Sequence, residues 1–547
     1  MLEKLSLQQR MIIATVLAFA FFIGYDFFYQ SKIRAQIDQN QTIASEQKAA
    51  PIENQAIKEP TIDKREITKQ NQSLQSEPLV KIKSPHFHAT IDSLGRINSF
   101  ILDDAVYNND DGAQIDLVDE SYSPLPLEIR FTNSDLNKRA FDTPYRANIS
   151  SLDTSSGSQE LVLTQDLGEV IVTKRVKFKA DGSYEITLNL NKDVPYFITP
   201  GFRPNIAVDG FTVHGVLIKK SDDKLEVIKD KKGKASESFL ASQIVASSDR
   251  YYTALMYDIN GKGLDAVIAL DSEKNTQVFI KGRQDFKAGG FIGPKNQKLL
   301  KSIDSILVDV IEYGWFTFIA KPMFALLSFF YGFVGNWGWS IVVLTIFIRV
   351  LLFYPTYKGM ISMNKMKDLA PKLKEIQEKY KGDPQKMQAN VMELYKKHGA
   401  NPMGGCLPIL IQIPIFFAIY RVLLNAIELK GAEWILWITD LASKDPWYVL
   451  PIFMGLMMFL QQRLTPTTFT DPTQEKIMKF LPFIFVFFFM GFPAGLTLYW
   501  CVNNTFSVIQ QVFVNKIFAK QKEEKELEKA QQKEQKEIEK AQQRAKK

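Results

Sequence analysis

The chain divides by the texture of its apolar positions. The first apolar run covers residues 11–28 and is preceded by Lys4 and Arg10. At about eighteen residues it is near the roughly 20 that a helix needs to cross a bilayer. A cleaved signal peptide is the competing reading, because Ala18-Phe19-Ala20 has the small-residue form of a cleavage site. The run continues past it through Phe21, Phe22, Ile23, Phe27 and Phe28, which favours an uncleaved anchor over 1–29 with its amino terminus in the cytoplasm. Residues 30–78 lack both aromatic side chains and periodicity and read as a disordered linker. From 79 to 304 the texture becomes alternation. Val176, Phe178 and Ala180, then Tyr184, Ile186, Leu188 and Leu190, alternate with polar residues on either side of Asp181-Gly182, which predicts a hairpin with one buried face. Further turns are expected at Asn260-Gly261 and Ala288-Gly289-Gly290, and the whole stretch reads as a large antiparallel β-sandwich.

From residue 305 the period becomes helical. Val308, Ile311, Trp315, Phe318 and Ile319 recur at spacings of three and four, with Asp309, Glu312 and Lys321 on other faces, so 305–336 reads as an interfacial amphipathic helix region. Within it 323–333 is apolar throughout and stops at Gly335-Asn336-Trp337-Gly338, either interfacial or the beginning of the next span. Five more apolar runs, 339–354, 407–427, 448–464, 477–491 and 495–514, bring the expected crossings to six. Between the first two of these, Met360, Met363, Met366, Leu369, Leu373, Ile376 and Tyr380 form one stripe. Lys381-Gly382-Asp383-Pro384 then turns the chain, with Asp383 as N-cap and Pro384 at the first helical position, and Met387, Val391, Leu394 and Tyr395 form a second stripe. Residues 358–398 are therefore expected to be a helical hairpin with a Met-rich seam, a surface suited to variable apolar segments.

Composition changes this picture in one respect and charge in another. The averages, 46% hydrophobic and 23% charged, are those of a soluble protein, but 40 Phe and 7 Trp against 4 His and 2 Cys fit side chains that face lipid. The formal charge of +7 is not spread evenly. Residues 353–407 hold ten Lys against five acids, and 516–547 eleven Lys and Arg against seven Glu, so the remainder is slightly acidic. Both basic blocks border apolar runs, which is the positive-inside pattern rather than a DNA-binding surface. It puts the hairpin and the basic tail 516–547 in the cytoplasm and the sheet domain outside the inner membrane. That domain contains no Cys, and two Cys in the whole chain cannot make a disulfide framework.

Catalytic signatures are missing. There is no GxxxxGK[ST] loop, HExxH, GxSxG or CxxC, and the His86/His88 pair has no further ligand-type residues near it in sequence, so no enzyme activity, cofactor or metal is expected. Met403-Gly404-Gly405-Cys406 has the form of a lipoprotein processing box but lies in mid-chain. The spans also lack interior Asp and Glu, which argues against a proton-coupled transporter. Arg349 is the intramembrane ion, set in Ile348-Arg349-Val350 with Thr345 one turn away on the same face. At the centre of a lipid-facing helix an Arg costs about 2.5–3.5 kcal/mol. Two readings are open: the side chain snorkels to the headgroups near Pro355, or it faces a wet cavity in the bundle. Gln412, Asn425, Gln461, Gln462, Asn503, Asn504 and Gln510 in other spans fit the second, although helix-to-helix hydrogen bonds account for many of them.

The segments Asn401-Pro402-Met403-Gly404-Gly405-Cys406-Leu407-Pro408, Leu410-Ile411-Gln412-Ile413-Pro414-Ile415-Phe416, Ser443-Lys444-Asp445-Pro446, Pro466-Thr467-Thr468 and Phe492-Pro493-Ala494-Gly495-Leu496-Thr497-Leu498-Tyr499-Trp500 resemble, in order and spacing, the YidC family of bacterial membrane protein insertases, which has mitochondrial and chloroplast relatives. The match runs from Ile311 to about Val514; the anchor and sheet domain resemble the Gram-negative form by position and texture. The resemblance implies a polytopic α-helical membrane protein with six transmembrane helices, a five-helix insertase core over 337–515 and a large periplasmic antiparallel β-sandwich domain. It further implies a hydrophilic groove open to cytoplasm and lipid, lined by Arg349, Thr345, Gln412 and Trp500; relatives often carry Tyr at the last position. The cytoplasmic hairpin, with Met363, Met366, Leu373, Tyr380, Met387 and Tyr395, is implied to capture substrate. Nascent integral membrane proteins, the Sec translocon, the bilayer and, through the hairpin and tail, the ribosome are the partners expected. Insertion, folding and assembly of inner-membrane proteins without nucleotide hydrolysis is the expected function, with a purely Sec-associated assembly chaperone as the alternative.

Overall fold

The computed structural model describes residues 78–545 apart from 110, 208–211, 213, 401–406 and 466–471. The anchor expected over 1–29, the linker up to 77, the motif at 401–406 and Pro466-Thr467-Thr468 lie outside the described residues. Two compact units divide between Ile311 and Glu312.

In the first unit the alternating segments form three sheets, of four, five and nine strands. The expected hairpin joins Ile171–Phe178 to Ser183–Leu190 with Val176 opposite Ile186 and Phe178 opposite Tyr184. Gly182, at φ +83°, makes the turn, and the Asp181 carboxylate accepts from the Ser183 N–H and hydroxyl. Burial alternates along Ile171–Phe178, so one face of that strand is wet. By contrast, Gly215–Lys219, Ile244–Ser248 and Tyr252–Tyr257 are buried at every position. The five-stranded sheet packs against Gly215–Lys219 and Ile244–Ser248, and the 3-10 turn Ser305–Val310 also packs beside Gly215–Lys219. Two helices, α1 (Ser134–Asp142) and α2 (Gln297–Ile303), complete the unit, each capped by an Asn side chain that accepts from a backbone N–H.

Three sequence expectations change here. Pairing is antiparallel except that Val80–Lys83 runs parallel to Ser151–Asp153, a contact no local period could announce. Ala288-Gly289-Gly290 is not a turn but the middle of the strand Asp285–Pro294. Those glycines make room for rings: a Cβ at Gly289 would lie 2.3 Å from the Tyr257 ring, and one at Gly290 2.2 Å from the Tyr184 ring, each the cross-strand neighbour. The single amphipathic helix expected through 305–319 also does not form. Leu307, Val310 and Ile311 bury in the sheet unit, Gly314 at φ +68° breaks the backbone, and the α-helix begins only at Thr317, so the three-and-four spacing straddled a domain boundary.

The second unit is helical: α3 (Thr317–Val334), α4 (Trp337–Leu351), α5 (Phe353–Asp368), α6 (Ala370–Lys379), α7 (Pro384–Lys397), α8 (Leu407–Asn425), α9 (Val449–Leu464), α10 (Pro472–Phe489) and α11 (Ala494–Ala545). Residues 323–333 belong to α3, closed by Gly335 at φ +67°, and α4 starts on the Asn336 cap, whose side chain accepts from the Trp339 N–H. Among the described residues, Gly314–Val334 is long and apolar enough to cross a bilayer by itself. Trp337–Leu351 and Phe353–Asp368 do so together around a 62° bend, and Leu410–Asn425, Val449–Leu464 and Lys479–Phe489 are shorter apolar helices. Apolar side chains point outward from most of these: Trp315 (92% exposed), Phe318 and Phe333 near or on α3, Leu456 on α9, and Phe480, Phe483 and Phe487 on α10. A surface of this kind is stable against hydrocarbon and not against water. The helices close on one another where glycine permits. A Cβ at Gly455 of α9 would lie 2.1 Å from Val486 of α10, and one at Gly338 of α4 2.2 Å from Trp434. The basic tail expected as a separate region is continuous with the last span in the single 52-residue helix α11, because Lys, Glu and Gln are good helix formers and no breaker intervenes.

One group of buried charges in the sheet unit is formed by Arg96, Glu128 and Lys174. Glu128 lies between Arg96 at 3.1 Å and Arg130 at 2.8 Å; burial acts to raise its carboxyl, but Arg130 and Arg96 together hold it below the ordinary carboxylate range. Lys174, on the buried face of Ile171–Phe178, donates to Gly95 O at 3.0 Å and Leu127 O at 2.9 Å, and burial pushes its ammonium down to about 7. Between pH 7 and the unfolded value near 10.5 the unfolded chain binds the proton and the folded one does not, so this group makes stability rise with pH in that window. The thermal midpoint of the sheet unit is therefore expected to climb from pH 7 to 9, and the slope to flatten in Lys174→Met; an unaltered slope would refute it. Separately, Gly290→Ala should cost about 1–3 kcal/mol, read by denaturant unfolding, and much of that loss should be recovered by adding Tyr184→Leu.

Candidate functional site

The helix α11 sets one polar face toward α4. Tyr499, Asn503 and Ser507 follow at intervals of four, and residues at that interval share a face. Arg349, in the last turn of α4 and 8% exposed, is held there: Nε donates to Asn503 Oδ1 at 2.7 Å, and one terminal nitrogen donates to Asn503 O at 3.1 Å and Ser507 Oγ at 2.6 Å. The Ser507 hydroxyl in turn donates to Asn503 O at 2.9 Å. The headgroup is thus engaged inside the bundle, against α11, and not extended past Pro355 as snorkelling would require. The acceptors that hold it belong to Asn503 and Ser507.

These partners are all uncharged. No carboxylate of the described residues lies within ion-pair distance of Arg349, whereas a second cation in an apolar span, Arg421 of α8, lies 3.7 Å from Glu312. Asn425, one turn further along α8, donates to Glu312 O at 3.0 Å. Hydrogen bonds to Asn, Ser and a carbonyl solvate a guanidinium without cancelling its charge, so Arg349 leaves a positive potential within the helical unit.

The other sequence-derived positions distribute around it. Gln412 of α8 donates from Nε2 to the Tyr499 hydroxyl at 2.9 Å, one turn of α11 before Asn503. Arg349 and Gln412 are therefore linked through α11. Thr345 is buried one turn from Arg349, and its hydroxyl donates to Ile341 O at 2.6 Å, within its own helix. The Trp500 ring stacks on Phe416 at 4.7 Å and on its neighbour Tyr499 at 6.0 Å and lies 5.8 Å from Phe489, and its buried indole N–H meets no acceptor. It belongs to an aromatic wall shared by α8, α10 and α11, not to the polar face. Sequence reading noted Asn503 as one polar residue among several; it missed Tyr499, Ser507 and Arg421, for which the interval of four along α11 and the lone cation in 407–427 were the available signals.

The expected Met-rich hairpin is present in altered form. Its first arm breaks at Leu369, ahead of Ala370-Pro371, since Pro371 has no N–H to continue the helix to the Lys367 carbonyl and its ring crowds that group, whereas it fits the first turn of a new helix. Asp383 caps α7 by accepting from the Lys386 N–H at 3.0 Å, with Pro384 opening the helix. Leu373 and Tyr395 are buried with Leu369 and Ala400, and Met366, Val391 and Leu394 pack on them. Met363 lies before the break, and Met363, Tyr380 and Met387 stay half-buried outside this cluster, so the seam is Leu and Tyr with one Met and not a continuous Met stripe. The exposed apolar side chain of α7 is Met392. In the sheet unit His86 and His88 each face an aspartate, Asp104 at 3.1 Å and Asp103 at 2.8 Å, and no metal-binding cluster occurs among the described residues.

Residues 329–545 match the family model described as the 60Kd inner membrane protein, and residues 233–326 match that of the YidC periplasmic domain. A protein of Campylobacter jejuni named membrane protein insertase YidC is 52% identical over 95% of this chain and 98% of its own length. The proteins of the same name from Wolinella succinogenes and Helicobacter pylori are 47% and 43% identical, over 95% of this chain and 97% and 98% of theirs.

The Arg349 cradle makes a prediction about stability alone. Asn503→Leu strands a buried charge and should cost about 1–3 kcal/mol. Arg349→Met combined with Asn503→Leu should cost less than Asn503→Leu alone, because the charge is gone. Additive losses in the thermal midpoints of the purified variants would contradict the cradle.

Proposed function

This chain belongs to the YidC family of membrane protein insertases, and from that premise we propose that it inserts and helps fold inner-membrane proteins through the polar face around Arg349, alone or beside the Sec translocon. The observation that carries the reading is a buried guanidinium bonded only to neutral groups, so that its charge is uncompensated. A nascent chain is captured at the cytoplasmic hairpin, where the exposed Met392 and the half-buried Met363, Tyr380 and Met387 offer apolar surface. Its short outer segment then moves to the face formed by Arg349, Gln412 and Tyr499. There, at about 6 Å and an effective dielectric of about 20, an acidic side chain gains about 3 kcal/mol from Arg349, which offsets part of its desolvation. Asn503 and Ser507 hold the guanidinium, and Thr345 lies buried one turn away.

The apolar segment leaves sideways along the outward-facing aromatic side chains of α10. Moving it into lipid releases about 25 cal/mol per Å2 of apolar surface, so no nucleotide is consumed. The basic hairpin and the lysine-rich end of α11 are suited to a ribosome at the cytoplasmic side.

In cells depleted of their own insertase, Arg349→Ala is expected to lower insertion of single-span proteins with acidic outer segments by about tenfold, a change of about 1.4 kcal/mol. Arg349→Lys should retain most of it, and neutral outer segments should be affected much less. Full insertion of the acidic set by Arg349→Ala would remove the electrostatic part of the mechanism. Liposomes containing this protein as their sole protein should insert the same substrates; failure there, with activity restored by the Sec translocon, would favour an assembly chaperone.

A further inference from the structure

The polar face of α11 does not stop at Ser507. One turn on, Gln510 Nε2 donates to Thr356 Oγ1 of α5 at 2.8 Å and approaches Phe353 O at 3.3 Å. Beyond it lies a junction. Asn515 Oδ1 accepts from Asn364 of α5 at 3.0 Å and from Gln511 at 2.9 Å, while Asn515 Nδ2 donates to the carbonyl of Leu464, the last residue of α9, at 3.1 Å. Asn364 is buried, and at the end of the same helix Asp368 meets Lys522 at 3.1 Å. Three helices thus converge on one amide that uses both its acceptor and its donor. After Asp368 the helix breaks at Leu369, and α6 and α7 pack on a small core that Leu369 and Met366 of α5 share, with Lys365 of α5 donating to Gly399 O at 3.3 Å.

We propose that Asn515 is a positioning residue, clamping α5 to α9 and α11 so that the hairpin α6–α7 stands on a fixed base from which substrate passes toward Arg349. The inference rests on the capture reading above. An amide suits the task because it must accept from two amides and donate to one carbonyl at once; a leucine of similar size fills the space and makes none of the three bonds. Without the clamp the hairpin still presents its apolar surface. What is lost is the alignment of its base with the polar face of α11.

A ribosome-bound nascent chain of a single-span protein with an acidic outer segment provides the test, with a photocrosslinking residue placed at Val391 or at Thr345. In Asn515→Leu, crosslinks at Val391 should stay within twofold of the parent while those at Thr345 fall at least fivefold. Asn364→Leu, which removes the same bond from the α5 side, should behave alike. Asn515→Asp keeps the acceptor contacts to Asn364 and Gln511 but loses the bond to the Leu464 carbonyl, so Thr345 crosslinks should recover only to a level between Asn515→Leu and the parent. Equal falls at both positions, or none at Thr345, would overturn the proposal. Absence of Val391 crosslinks in the parent would instead overturn the capture reading. The clamp is then decided by spin labels at Glu378→Cys and Arg463→Cys with Cys406 and Cys501 replaced by Ser: their distance distribution should broaden in Asn515→Leu, and an unchanged distribution counts against it.

Discussion

A guanidinium held in an apolar helical unit with no carboxylate of the described residues within ion-pair distance constrains everything around it. Burying an ion is tolerable only where polar groups replace its water. For Arg349 the replacement comes from one helix, through Asn503 Oδ1, Asn503 O and Ser507 Oγ. That requirement fixes which face of α11 turns toward α4, and with it the direction of Tyr499 toward Gln412 and of Trp500 toward Phe416 and Phe489. The contrast with Arg421, which has Glu312 beside it, shows that the fold can supply a carboxylate where a cation is to be neutralised.

The same helix carries the polar bonds outward to the hairpin base and ends as a charged extension. Its inner third solvates Arg349, Gln510 and Asn515 bond to α5, and residues 519–538, rich in Lys, Glu and Gln, are exposed. In the proposed mechanism this continuity lets one rigid element relate the place of capture to the place of transfer. The outward Phe of α10 and the glycine contact between Gly455 and Val486 serve a different need, since helices in lipid gain association from close packing and not from the hydrophobic effect.

Much of this was legible in advance because the relevant signals are local. Alternation around Asp181-Gly182 gave the hairpin, Asp383-Pro384 the start of α7, and the isolated Arg349 the centre of the site. Signals that depend on distant partners failed. Gly289-Gly290 reads as a turn until Tyr257 and Tyr184 are seen lying over it. The apolar spacing from Val308 to Ile319 reads as one helix until Leu307 and Val310 are seen buried in the sheet unit. The Met stripe reads as a seam, yet Met363, Tyr380 and Met387 fall outside the cluster that Leu369, Leu373 and Tyr395 form.

The sequence by itself determined the division into a sheet unit and an apolar helical unit, the placing of excess charge in two blocks, and the presence of one costly cation in the first core helix. These follow from composition and period, which local backbone geometry converts directly into structure. Tertiary structure alone decided that the cation meets neutral acceptors and not a carboxylate, that Trp500 joins an aromatic wall while its neighbour Tyr499 joins the polar face, and that Asn515 ties three helices together. Each of these depends on the rotation of one helix against another, which is set by many side chains packing at once and which no single stretch of residues encodes.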